Sequence, residues 1–348
     1  MDLSKAPTRY ADVYGLSTLP WFALEEGRLV LKDRSLGPIV DVHTHLALTY
    51  VFRTTVDLEA APGPTQHYLP MTRPLDLDVY VNRNIPPDDL RRLMKDLSLG
   101  SVTRSGMRAT HTVPNLLREM REVGVTRSLL LPIDFPALSY NAEVYLEVAA
   151  AHPELPALGS VHPYAFDVAG KLDAQQAAGA RGIKVHPAIQ LMTADNDRAM
   201  RLYRLCAARR LPVLFHCGPV GIENVYSRHL CRLRFYRRAV AENRDVTFVL
   251  GHSGALEMEQ ALALCCEFDN VCLELSCQSI TNVRRIVSEA PSERLMFGSD
   301  WPFYHQAIPL AKVLLATEDR KQLRPKIFWE NAARVFGLTE ASAVGRRL

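Results

Sequence analysis

Eight short apolar segments, separated by stretches with helical patterning, run through this sequence of 348 residues. Most are rich in Leu, Val or Ile and almost continuously hydrophobic, as expected for strands covered on both faces. Strands that alternate with helices indicate βαβ units and a parallel sheet, and eight such units predict a closed (β/α)8 barrel. The predicted strands are 39–43, 127–133, 157–163, 182–187, 212–216, 246–252, 271–276 and 294–300.

An open, doubly wound sheet is the alternative fold for this pattern. It has less support, because no G-x-G-x-x-G motif follows the first strand and dinucleotide binding is therefore not indicated. Helices are predicted between the strands, at 111–125, 142–153, 197–210 and 254–267.

One connection is much longer than an ordinary βα loop. Residues 47–110 follow the first strand and would leave the carboxyl-terminal rim, where barrel enzymes carry their sites, so we predict a partly helical lid. A hairpin is expected at 23–33. We therefore divide the chain into an N-terminal extension (1–38), a barrel (39–340) with its lid insertion, and a C-terminal tail (341–348).

Composition excludes several classes of protein. Lysine and arginine total 41 residues against 38 aspartates and glutamates, which argues against a dedicated nucleic-acid or membrane-surface binder. A basic segment at 227–240 is explained as the solvated face of a helix. The seven cysteines contain no CxxC pair, so a disulfide framework is not expected. The first residues lack the pattern of a secretory signal, so we expect a cytoplasmic protein acting on a small molecule; a homo-oligomer stays open.

Polar side chains that can bind metal stand at the ends of five predicted strands. His43 and His45 lie two residues apart and so share one strand face. A single strand-end histidine is usually structural, but parallel barrel strands bring all their carboxyl ends to one mouth. Imidazole with carboxylate suits zinc, manganese, iron or nickel. The complete set is His43, His45, Lys184, His186, His216, His252 and Asp300.

These motifs resemble the amidohydrolase superfamily, and within it the barrel-only "amidohydrolase 2" group. HxH alone is weak evidence, but HxH, two further histidine motifs and GSDxP in that order are specific. The resemblance covers about residues 38–338, without the insertion and the extension. It rests on VDVHTH (40–45), RGIKVHP (181–187), VLFHCG (213–218), VLGHSG (249–254), FGSDWPF (297–303) and IFWENAARVFGL (327–338).

The resemblance implies a divalent metal, for which we expect Zn²⁺, held by His43, His45 and Asp300 with His216 as a further ligand. It implies His252 as a ligand of a second ion or as a group that polarises the substrate. A bound cation makes hydroxide available at neutral pH, and Asp300 could take and return the proton. This chemistry predicts hydrolysis of an amide, ester or lactone. The alternative is nonoxidative decarboxylation of a small aromatic or enoic carboxylate, for which the group uses the same ligands.

Lys184 lies inside a hydrophobic strand, where burial of its charge lowers its pKa. A neutral amine can react with carbon dioxide to form a carbamate, and the superfamily's binuclear members carry such a bridging lysine at this point. In that interpretation His216 and His252 hold a second metal. Otherwise Lys184 stays an ammonium that pairs with Glu274 or with a substrate carboxylate.

The remaining candidates rest on position alone. Cys217 should point away from the site, and Glu274 either contacts the site or forms a buried ion pair. His162 could touch substrate or simply end its strand. Arginines in the insertion would suit a carboxylated substrate, although solubility explains them equally. Four residues beside the ligand motifs are predicted to bind substrate, namely His186, Trp301, Arg53 and Tyr50.

Overall fold

A ring of parallel strands organises the chain. The computed structural model describes residues 6–99, 103–135 and 138–339, and the predicted tail at 341–348 lies outside them. Ahead of the ring, β1 (Arg9–Tyr10) precedes β2 (Phe22–Glu25) and β3 (Arg28–Leu31), which pair as an antiparallel hairpin. The hairpin predicted at 23–33 is therefore confirmed.

The ring contains eight strand positions. β4 (Val40–Thr44) is followed by the short β5 (Leu75–Asp76), which pairs with β1, and by β6 (Arg127–Leu130), which pairs in parallel with β4. Residues 157–159 form single parallel bridges to β6 and to the next strand. Five strands complete the ring, each parallel to its neighbour: β7 (Ile183–Val185), β8 (Val213–Phe215), β9 (Phe248–Leu250), β10 (Val271–Glu274) and β11 (Leu295–Met296).

The ring closes between its last and first strands. The Val42 N–H donates to the Phe297 carbonyl at 3.0 Å, and the Asp300 N–H donates to the His43 carbonyl at 2.8 Å. Seven of the eight predicted strands are present in their predicted order, and the third, 157–163, is reduced to the two bridges at residues 157 and 159. The (β/α)8 barrel is confirmed.

Helices connect the strands and overlap the four predicted from sequence periodicity. α2 shows why they form where they do, because Pro114 stands in its first turn and Gly124 ends it in the left-handed conformation, with φ of 74°. No described helix has the length and apolarity needed to cross a membrane. The α-helices are α1 (Pro87–Leu99), α2 (Val113–Val123), α3 (Asn141–Ala151), α4 (Val168–Ala177), α5 (Asp197–Ala208), α6 (Val225–Leu230), α7 (Tyr236–Glu242), α8 (Met258–Glu267), α9 (Ile280–Glu289), α10 (Ala307–Ala316) and α11 (Asn331–Phe336).

The segment 47–110 leaves the carboxyl end of β4 and contains β5 and α1. It is tied back to the barrel where the Ala47 N–H donates to the His111 carbonyl at 3.0 Å. Its action as a lid stays a prediction, as does the division into extension, barrel and tail.

A β-bulge in β4 changes which side chains face the barrel interior. Val40 and Val42 join the apolar cluster inside the ring, together with Leu214 and with Phe336 of α11. Strict alternation would then turn His43 outward. The register shift between Asp41 and Thr44 interrupts the alternation and lets His43 face inward above this cluster.

The carboxylate of Asp41 points out of the barrel interior and links the first and last strands where the ring closes. It is fully buried and accepts hydrogen bonds from the His43 N–H at 3.1 Å, the Ser299 N–H at 2.9 Å and the Gln306 side-chain amide at 2.7 Å. Burial raises the pKa of Asp41 to about 7 even though these donors oppose the shift.

Asp41→Ala should therefore destabilise the barrel strongly. The change leaves several buried donors without an acceptor, and we expect the free energy of unfolding to fall by about 3 kcal/mol. Urea denaturation measures this loss. The matched control is Asp319→Ala, whose side chain is 78% exposed and should change stability by less than about 0.5 kcal/mol. Equal effects in the two variants would contradict the assignment.

Candidate functional site

The carboxyl ends of the barrel strands surround one cavity of about 360 Å³. The bulge and the strand alternation direct the predicted metal-capable side chains into it, although they come from five strands. All seven line the cavity: His43, His45, Lys184, His186, His216, His252 and Asp300.

Three of these residues form a compact set of metal-capable atoms. Nε2 of His43 and Nε2 of His45 each lie 3.6 Å from Oδ1 of Asp300. Tetrahedral ligands at about 2.1 Å from zinc would be separated by about 3.4 Å, so this spacing fits a metal. Two further groups of metal-capable atoms overlap this one, namely His43 with His252 and Glu274, and His252 with Cys277 and Asp300.

The hydrogen bonds on the far side of each imidazole determine its tautomer. Nδ1 of His43 donates to Oε2 of Glu274 at 2.8 Å, and Nδ1 of His45 donates to the Leu131 carbonyl at 2.7 Å. With its proton on Nδ1, each ring presents the Nε2 lone pair to Asp300, which is the arrangement that metal-binding histidines use. Burial, followed by the nearby Lys184, lowers the pKa of His43 far below its usual value and keeps the ring neutral.

His252 is oriented by the same carboxylate through Ser276. The Ser276 hydroxyl donates to Glu274 at 2.9 Å and accepts from Nδ1 of His252 at 2.7 Å, so Nε2 of His252 carries a lone pair. Nε2 lies 3.3 Å from Nδ1 of His216. Burial lowers the pKa of His252 well below its usual value, so the neutral ring fits a metal ligand better than a proton donor to substrate.

His216 is placed differently from the other predicted ligands. It belongs to none of the three metal-capable groups found among the described residues. Its ring stacks on His186 with centroids 3.9 Å apart, and its Nδ1 faces His252. The geometry therefore puts His216 beside a second position in the cavity, next to His252.

Lys184 lies on the floor of the cavity, only 1% exposed. Its Nζ is 3.5 Å from Nε2 of His43, and burial lowers the pKa of Lys184 to about 7. The ion pair between Lys184 and Glu274, one of the alternatives left open by the sequence, is not found among the described residues; that carboxylate instead accepts from His43, the His252 N–H and Ser276. Glu274 thus contacts the site, one of the two roles the sequence left open.

Two predicted substrate-binding residues line the cavity and two do not. Tyr50 and His186 are in its wall. Arg53 is half-exposed and pairs with Glu147, while the buried Trp301 indole donates to Glu119 at 3.1 Å. Adjacency to the ligand motifs therefore identifies only some cavity residues, since the side chains of Arg53 and Trp301 turn to partners outside the cavity.

Two other sequence candidates take structural positions. His162 does not line the cavity and bonds the Gln190 carbonyl at 2.9 Å. Cys217 is buried away from the site, as expected from strand alternation, and burial raises the pKa of its thiol well above the usual value.

Cys277 and the apolar wall of the cavity were not predicted from the sequence. Sγ of Cys277 lies 3.6 Å from Oδ2 of Asp300, and these two residues form a metal-capable group with His252. Met94 and Leu97 of α1 and Ile222 of the loop after β8 line the cavity above the polar floor. No motif marks these residues, because they come from loops and an insertion without a regular pattern.

The sequence pattern of the amidohydrolase family matches residues 40–338, which include every barrel strand and every residue of this cavity. The chain belongs to the amidohydrolase family. It is therefore an enzyme of the class that contains metal-dependent hydrolases and related decarboxylases. No curated protein sequence is significantly similar to this chain.

Solved structures share the amidohydrolase's fold at low sequence identity. An uncharacterised TIM-barrel protein from Bordetella bronchiseptica has 16% identity and a TM-score of 0.57, with 86% of this chain and 98% of that chain covered. 5-Carboxyvanillate decarboxylase from Sphingomonas paucimobilis has 15% identity and a TM-score of 0.57, covering 87% and 99%. A probable 2-pyrone-4,6-dicarboxylic acid hydrolase from Acinetobacter baumannii has 14% identity and a TM-score of 0.54, covering 86% and 99%.

Glu274→Gln tests the orienting role of this carboxylate. Every partner of Glu274 is a donor, so a glutamine amide must turn its NH₂ toward one of them, and His43 can no longer be held in one tautomer. We expect Zn²⁺ affinity to fall about 10- to 100-fold, measured by titration against a competing chelator. Glu289→Gln on the exposed side of α9 is the control. Unchanged affinity in Glu274→Gln would show that the carboxylate does not orient the ligands.

Proposed function

We propose that this amidohydrolase is a metal-dependent hydrolase that cleaves an amide, ester or lactone bond of a small molecule. The observation that carries the proposal is the arrangement of His43, His45 and Asp300, whose buried ligand atoms face one another with both imidazole protons held on the opposite side. A divalent cation, for which we propose Zn²⁺, would activate water and polarise a carbonyl when bound there.

Asp300 is proposed as the group that accepts the proton from water and returns it to the leaving group. Its Oδ1 faces the two imidazoles, whereas Oδ2 points toward Cys277. One carboxylate can thus serve as ligand through one oxygen and handle a proton at the other. His252 is proposed as a metal ligand at the substrate cavity. Its proton is held on Nδ1 by Ser276, so Nε2 has a lone pair for a metal and no proton with which to polarise a carbonyl.

Lys184 supports two versions of the metal centre. As an ammonium it would bind a polar group of the substrate on the cavity floor. As a carbamate it would connect an ion at His43 and His45 with a second ion at His216 and His252. Nδ1 of His216 and Nε2 of His252 lie 3.3 Å apart. Its pKa near 7 makes the neutral amine accessible, so the carbamate version remains part of the proposal. We also retain a cytoplasmic location and a small-molecule partner as proposals.

Asp300→Asn should separate binding from chemistry. The amide keeps an oxygen toward the imidazoles but cannot accept the proton, so we expect turnover to fall at least about 100-fold while the metal is retained. Elemental analysis and steady-state kinetics on the same preparation measure both quantities. Turnover near wild type would remove Asp300 from proton transfer, and loss of the metal would make its ligand role dominant.

Decarboxylation is the second candidate, supported by the solved decarboxylase structure of the same fold and by the Lys184 cation on the floor. Turnover in ¹⁸O-labelled water distinguishes the two reactions. Hydrolysis places one labelled oxygen in the product and releases no carbon dioxide, which is our expectation. Release of carbon dioxide without label in the organic product would establish the alternative.

A further inference from the structure

The cavity has a polar floor and apolar walls. We infer that the substrate is a mainly apolar molecule with a single polar group, which the floor receives, and that it carries no second charged group. This inference rests on the proposed function, because it concerns the substrate of the same cavity.

The cavity has a buried end, which we call the floor, and a solvent-exposed end, which we call the mouth. Lys184, His43, His45 and His252 on the floor are buried, whereas Met94 is 45% exposed and still lines the cavity. Between them most of the accessible wall surface is apolar, as at Leu97, Ile189 and Ile222. Uncharged polar side chains share this wall, among them Asn82, Ser98, Asn224 and Ser227. The substrate must therefore pass and then contact apolar surface along most of the cavity, where each buried methylene group favours binding.

The arginines of the insertion do not reach the cavity. Arg53 pairs with Glu147, Arg91 pairs with Asp88, and Arg73 and Arg92 both pair with Asp89. Arg83 is exposed. These arginines therefore give no support for a carboxylated substrate.

Within the described part of the chain, Lys184 on the floor is the only lysine or arginine that lines the cavity. Arg108 does not line the cavity; its buried guanidinium donates to the carbonyl of Leu48, a residue of the wall, at 2.6 Å. One anionic group of a substrate can thus be received, and it must lie at the floor. A second carboxylate would be buried against apolar walls without a cationic partner, which is strongly unfavourable.

Among the described residues, the wall of the cavity contains one carboxylate, and it is already paired with an arginine. Glu223 lines the cavity; one of its oxygens accepts from the Ile222 N–H at 2.9 Å, and the other lies 3.5 Å from Nε of Arg228. Arg228 balances this carboxylate from outside the cavity, so neither residue offers a cationic partner to a second substrate carboxylate. The described wall therefore adds no cation to the one on the floor.

Two benzoates that differ only at the para position test the inference. 4-Pentylbenzoate carries an alkyl chain where terephthalate carries a second carboxylate, and both offer one carboxylate to the floor. We expect isothermal titration of the Zn²⁺-loaded enzyme to give a dissociation constant at least tenfold lower for 4-pentylbenzoate. Equal binding, tighter terephthalate binding or no detectable 4-pentylbenzoate binding would overturn the inference.

Two variants test whether the cavity wall causes the preference for 4-pentylbenzoate over terephthalate. Ile222→Arg puts a cation on the half-buried wall and should reduce the preference for 4-pentylbenzoate at least tenfold. Val225→Arg adds the same charge at an 84% exposed position outside the cavity and should leave the preference unchanged. The same shift in both variants would show that the preference arises outside the cavity wall.

Repeating the titrations after chelator treatment separates this inference from the proposed function. We expect both ligands to bind more weakly without metal, while the order of the two is kept. If affinity does not depend on metal but the order holds, the metal-centred function fails and the apolar substrate class stands. If affinity depends on metal but terephthalate binds better, the substrate class fails and the function stands.

Discussion

One buried carboxylate orients the proposed metal centre. Glu274 at the end of β10 accepts from the imidazole of His43 on β4, from the backbone of His252 after β9, and from Ser276. Burial raises the pKa of Glu274 to about 7, so its charged form depends on these donors. In return, each donor is held in one orientation, and two histidines from different strands turn their lone pairs into the same cavity.

The positions of the site residues follow from strand geometry that the sequence displays. Lys184 lies within a buried apolar strand, and His216 and His252 follow two others; parallel strands in a closed ring bring their carboxyl ends together. That is why the barrel and the convergence of the polar residues could both be predicted. The inward turn of His43 could not, because alternation from Val42 predicts the opposite direction and only the bulge in β4 corrects it.

What the sequence could not supply depends on contacts between distant segments. Trp301 follows a ligand motif directly, yet its indole turns to Glu119 of α2. Arg53 follows the first strand, yet it pairs with Glu147 of α3 at the surface. Conversely, Met94 lies 49 residues beyond the HxH motif and reaches the cavity only because α1 folds back over the rim. Motif proximity therefore identifies ligands well and substrate contacts poorly.

The central claim is that His43, His45 and Asp300 hold the metal. Anomalous X-ray diffraction at the zinc edge, from crystals of Zn²⁺-reconstituted protein, tests it most directly. We expect an anomalous peak about 2.0–2.2 Å from Nε2 of His43, Nε2 of His45 and a carboxylate oxygen of Asp300. A principal peak bound by His216 and His252 without these three residues, or no peak in the cavity at all, would contradict it.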